Sequence, residues 1–95
     1  MTQEQWIDTL KYFDNSCAYC GMSNEDHIII FNENLHQEHI IAVTKGGSYT
    51  KSNIIPACRR CNSSKGNKSL LHFITYKKIS KKFTQKIYEY INSNK

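Results

Sequence analysis

Acidic residues all but disappear from this sequence after position 38. Seven of the eight (Glu4, Asp8, Asp14, Glu25, Asp26, Glu33 and Glu38) lie at or before it, and only Glu89 follows. Twelve of the 13 Lys and Arg fall in the acid-poor remainder, so residues 39–95 carry a net +11 and residues 1–38 a net −6. That density of positive charge excludes a neutral surface there and is the footprint expected of phosphate binding. Long apolar runs are missing as well, which excludes a transmembrane helix and leaves no membrane partner to expect. The opening MTQEQWID has neither the basic start nor the apolar run of a secretory signal, so a cytoplasmic location is expected. No internal repeat is present beyond two C-x-x-C pairs.

Bulk is also in short supply. A chain of 95 residues buries only about 60 to 65% of the surface it would expose unfolded, so its apolar core needs a staple. The four cysteines, Cys17, Cys20, Cys58 and Cys61, supply one, either as disulfides or as one zinc site. Paired C-x-x-C in an intracellular chain favours a closed tetrahedral site holding one structural Zn²⁺ per chain.

Thr2 and Gln5 form a capping box ahead of Trp6, Leu10 and Phe13, whose spacing predicts an amphipathic helix over about residues 3–14 with its apolar stripe in the core. CAYCG, residues 17–21, has the form of a metal knuckle with a turn glycine. HIIIF, residues 27–31, is expected as a short strand. A second strand is expected from Leu35 to about Val43, then a polar loop turning at Gly46-Gly47. A third runs from Asn53 and stops at Pro56, because proline cannot donate to a central ladder. The second knuckle leads into a short helix ending near Lys68. Ser69 and Ser80 are expected to cap two further helices, the last with Phe83, Ile87 and Ile91 on one face and Lys81, Lys82 and Lys86 outside.

Within LHQEHIIAVTKGGSYTKSNIIPACRRCNSSK, residues 35–65, Glu38 and His39 are adjacent, Asn53 follows, and Asn62 stands directly behind Cys61. Order and spacing resemble the HNH (ββα-metal) endonucleases, in their small zinc-stapled phage and bacterial form. The resemblance covers about residues 4–70 and is most specific across 36–65. It implies an α+β fold in which a strand ends in the acid–histidine pair and a loop leads to the middle asparagine. A second strand and a short helix bearing the last metal ligand then follow. It places the whole chain, 1–95, in one domain: a zinc-HNH core of about 15–70 and a basic helical extension of about 70–95. It also places the protein in the cytoplasm of a bacterium or a phage-infected cell. The sequence departs from the family in having Asn62 where many members have histidine, Glu38 where aspartate is common, and Ala42 where proline is frequent.

The resemblance further implies roles. His39 is the general base that activates water, a task suited to an imidazole because it titrates near neutrality. Glu38 and Asn62 offer hard oxygen donors, which favour Mg²⁺ or Mn²⁺ as the catalytic ion. Asn53 ties the loop so that His39 is oriented. Neighbouring strand residues face opposite ways, so Glu38 and His39 share a site only at a strand end or bulge. His36 lies on the strand face of Glu38 and is a candidate to assist the metal, whereas His27 and His72 are read as non-catalytic. Arg59, Arg60, Lys65 and Lys68 are the expected DNA contacts. The expected substrate is double-stranded DNA, and the partner beyond it is a second protomer or a phage terminase-type protein. The competing reading is a non-catalytic zinc-dependent DNA-binding module, or an accessory subunit of a larger packaging or restriction complex.

Overall fold

A computed structural model describes residues 1–95, and the chain begins as its capping box requires. Helix α1, Gln3–Tyr12, starts where the Thr2 hydroxyl accepts from Gln5 N–H and the Gln5 side chain accepts from Thr2 N–H. Asp14 and Asn15 then take left-handed φ values of 55° and 52° and turn the chain away. Of the expected stripe only Phe13 is buried; Trp6 and Leu10 are half-covered, and the most enclosed α1 residue is Thr9. The knuckle from Cys17 to Gly21 closes through Cys17 N–H to Met22 C=O and Gly21 N–H to Cys17 C=O. Gly21 has φ +80°, and a Cβ there would stand 2.8 Å from the Phe83 ring, so this turn is restricted to glycine twice over.

The HIIIF segment is helical, not a strand. Helix α2, Asn24–Phe31, is capped by Ser23, carries Glu25 and Asp26 in its first turn and ends at left-handed Asn32. Local capping outweighs the β preference of three isoleucines, which face outward: Ile29 is 79% exposed. The residue that α2 buries is His27.

Strand β1, His36–His39, pairs antiparallel with β2, Ile54–Ala57, with Glu38 opposite Ile55 and His39 opposite Ile54. It is shorter than the expected Leu35–Val43 because its partner begins only at Ile54. Beyond His39, the N–H groups of Ile40 and Ile41 bond the backbone and side chain of Asn53 instead of a ladder. A 3-10 turn, Val43–Lys45, and the expected Gly46-Gly47 reversal follow. Pro56 does not stop β2. Its C=O accepts from Ala18 N–H, outside the sheet, so its nitrogen faces the same way and no ladder bond is lost.

Helix α3, Arg59–Lys65, stops at Gly66 (φ 50°), short of the expected Lys68. Ser69 and Ser80 cap α4, Leu70–Lys77, and α5, Lys81–Ser93, as their sequences predict. The core gathers Tyr19, Ile55, Ala57, Phe73, Ile87 and Tyr90. Tyr90 also reaches across the chain: its hydroxyl donates to Lys51 C=O at 2.6 Å and lies 2.7 Å from the Thr9 hydroxyl. No helix is long and apolar enough to cross a membrane.

Candidate active site and metal centre

The four cysteines come together although 44 positions separate the first from the last. Their sulfurs all lie within 4.8 Å of one another, Cys20 Sγ and Cys58 Sγ are 3.7 Å apart, and none is in a disulfide. Four thiolates about 2.3 Å from one zinc stand about 3.8 Å from each other, so the cluster fits that ion. Hydrogen bonding among the four thiols pulls them apart: Cys17, then Cys20 and Cys61, holds the Cys58 thiol far below its ordinary value and Cys17 lowers Cys20 to about 7, while Cys17 and Cys61 are pushed up. All four would have to lose their protons to hold a dication, so binding would release protons.

Cys58 is both a member of this cluster and the N-cap of α3, where its sulfur accepts from Cys61 N–H. His27 adds a second cap from α2. Its Nε2 accepts from Arg59 N–H at 3.0 Å, and its Nδ1–H donates to Glu33 C=O at 2.8 Å. Both ring nitrogens of this buried histidine are engaged with the backbone. The start of α3, and with it Asn62, is fixed from two sides.

Glu38, His39 and Asn62 line one open cleft of about 320 Å³, with Thr44 and Asn67 at its rim. The acid–histidine pair does end its strand, at His39. His39 is half-exposed, its ring 6.0 Å from that of Tyr49, and no protein group bonds its ring nitrogens. Asn53 clamps the segment after it: Oδ1 accepts from Ile41 N–H, and Nδ2 donates to Ile41 C=O and Ser48 C=O. The amide therefore ties the loop as expected.

Glu38 is more enclosed than the sequence suggested. Its side chain is 3% exposed, Oε2 accepts from the Tyr19 hydroxyl at 2.7 Å, and Oε1 pairs with Lys65 Nζ at 3.0 Å. Burial raises its carboxyl above the ordinary range, with Tyr19 and Lys65 pulling it back. Burial, reinforced by Glu38, likewise pushes the Tyr19 phenol up. Lys65, expected at the DNA surface, has no exposed side chain at all; it bonds Glu38 and His39 C=O and holds the acid–histidine pair from beneath. Its place three residues after Asn62, on one helical face, was the signal for this. Tyr19 carried a weaker one, lying inside the knuckle. Arg59 and Arg60 are exposed and stand over the Phe31 ring, while Lys68 is half-buried, bonding Ser64 C=O.

A dication of the hard class fits the cleft. Asn62 Oδ1 is uncommitted, and each Glu38 oxygen, having accepted one hydrogen bond, keeps a second lone pair. His36 sits beside Asn62, its Nδ1 2.9 Å from Asn62 Nδ2.

The sequence model of the HNH endonuclease family matches residues 17–68. A SPbeta prophage-derived protein of Bacillus subtilis, YoqL, named for an HNH endonuclease, is 44% identical over 70 residues, covering 68% of this chain and 29% of its own length. The CRISPR-associated endonuclease Cas9 of Corynebacterium diphtheriae is 40% identical over 52 residues, 54% of this chain and 4% of that protein. The chain thus spans under a third of the length of either relative. The family match opens on the first knuckle cysteine and closes at Lys68, three residues past the lysine beneath the cleft, so the cluster and the cleft fall inside it together: the chain belongs to the HNH endonuclease family.

Proposed function

We propose that the chain hydrolyses DNA phosphodiester bonds with Mg²⁺ or Mn²⁺ in the cleft and one structural Zn²⁺ on Cys17, Cys20, Cys58 and Cys61. The observation that carries this reading is the meeting of His39, Glu38 and Asn62 at the end of β1. His39, with both ring nitrogens free, takes the proton from the attacking water. Glu38 and Asn62 hold the cation, which when bound supplies Lewis-acid stabilisation of charge on the phosphate and the departing oxygen. Lys65 compensates Glu38 in the interior, and Asn53 keeps the backbone after His39 in place. Arg59 and Arg60, exposed over Phe31 at the start of α3, meet the DNA backbone.

The non-catalytic binding module has one observation in its favour. Both Glu38 oxygens already have partners, and a lysine ammonium stands against one of them. Incubation with supercoiled plasmid, with and without Mg²⁺ or Mn²⁺, separates the two readings. The nuclease converts the plasmid only with the cation; an intact plasmid under every condition, with DNA still bound, establishes the binding module. One site acts on one strand, so nicked circles should precede linear product. Linear DNA appearing first from a monomeric protein would contradict a single-strand cut.

Binding should weaken steeply with salt, because each phosphate contact releases counterions at a slope of about −0.9 in log–log terms. Lys77, Lys78, Lys81 and Lys82 are all exposed around the α4–α5 junction. Replacing the four together should flatten the slope. An unchanged slope would place the DNA elsewhere on the surface.

A further inference from the structure

Two residues outside the catalytic set meet Asn62 in a line. Glu33 Oε1 lies 3.0 Å from His36 Nε2, and His36 Nδ1 lies 2.9 Å from Asn62 Nδ2. The carboxylate can only accept, so the ring nitrogen facing it must donate. An imidazole with its one proton on Nε2 has only a lone pair at Nδ1. Asn62 then presents its NH₂ to His36, as the contact from Nδ2 has it, and its carbonyl oxygen turns the other way on a residue that lines the cleft. A carboxamide not held in this way is free to rotate and offers nitrogen as readily as oxygen, and the nitrogen is no ligand for a hard dication. The hydrogen bond from His36 also draws Glu33 below the usual carboxylate range, with Arg59 3.8 Å away as a second cationic neighbour.

We infer that Glu33 and His36 are positioning residues, a two-member relay that sets which atom of Asn62 faces the cation. The inference deepens the proposed function and rests on its assignment of Asn62. It also gives His36 a role other than direct metal contact, which the sequence left open: one of its nitrogens is engaged by Glu33 and the other by Asn62.

The wiring can be read without catalysis. Long-range proton–nitrogen correlation spectra of the ¹⁵N-labelled full chain, free of Mg²⁺ and Mn²⁺, should show His36 as the Nε2–H tautomer. In Glu33→Ala that preference should be lost, and in Glu33→Gln, which keeps an acceptor oxygen, retained. A His36 found as the Nδ1–H tautomer would overturn the relay, since it would donate to Asn62 and turn the amide oxygen inward. In cleavage, His36→Ala should raise the Mn²⁺ concentration for half-maximal rate about tenfold or more, with a smaller fall in the rate at saturating Mn²⁺. His36→Asn, whose side-chain oxygen can accept in place of Nδ1, should recover most of the loss. An unchanged Mn²⁺ dependence in His36→Ala would also overturn it. So would an imidazole ¹⁴N coupling to bound Mn²⁺ that disappears with His36, which would make that residue a ligand. Asn62→Ala is the control: full activity there would remove the proposed function itself, whereas loss there with an indifferent His36→Ala removes the relay alone.

Discussion

Alanine at position 39 is expected to slow plasmid cleavage by about 10²- to 10⁴-fold, the usual worth of a positioned general base, while the protein stays folded and still binds DNA. The structure separates the two effects unusually well. The His39 side chain is half-exposed with its ring 6.0 Å from that of Tyr49, and its tie to the interior is the backbone C=O that accepts from Lys65, which alanine preserves. The strand pairing of His39 with Ile54 is likewise a backbone matter. Single-turnover nicking at saturating Mg²⁺, with circular dichroism and a DNA-binding titration on the same preparation, measures all three. A variant that nicks at the unsubstituted rate would remove His39 from the mechanism.

The largest effect on the protein as a whole is expected from Cys58→Ser. Zinc held by thiolates contributes about 10–16 kcal/mol in zinc-finger peptides near neutral pH. A domain's whole stability is about 5–15 kcal/mol. Serine is a good N-cap, so the substitution spares the cap of α3 and removes only the metal ligand. Zinc content, thermal stability and cleavage should therefore fall together. Dialysis of the unsubstituted protein against a mild chelator should do something different: cleavage stops, about one zinc per chain remains, and Mg²⁺ or Mn²⁺ restores the activity. Active protein with far less than one zinc per chain would contradict the structural role. Cleavage that persists in the chelator would contradict the catalytic ion.

What could be read from the sequence was what depends on neighbours a few positions apart. The helix starts at Thr2, Ser69 and Ser80 are local hydrogen bonds, and all three stand where the sequence put them. Alternation along a strand called for a strand end or bulge at Glu38 and His39, but not for the early stop that leaves residues 40–43 outside β1. HIIIF was misread because three consecutive isoleucines carry no period, and the deciding facts, the caps Ser23 and Asn32, lie outside the run. Lys65 was misplaced for a different reason. In a basic stretch a lysine reads as surface, and although its spacing from Asn62 puts both on one face of α3, only the return of β1 beneath that helix sets Glu38 against it. His27 caps a helix 32 positions away for the same reason.

Tyr90 gives this architecture an order in time. A ribosome releases the chain from its first residue onward, and both cysteine pairs are complete once Cys61 has emerged. The hydroxyl that holds Lys51, two residues before Asn53, arrives only with α5, after both pairs. The same hydroxyl meets Thr9, so α5 is tied to α1 and to the Lys51 turn at one point. Both cysteine pairs therefore precede, in the order of synthesis, the residue that braces the turn at Lys51.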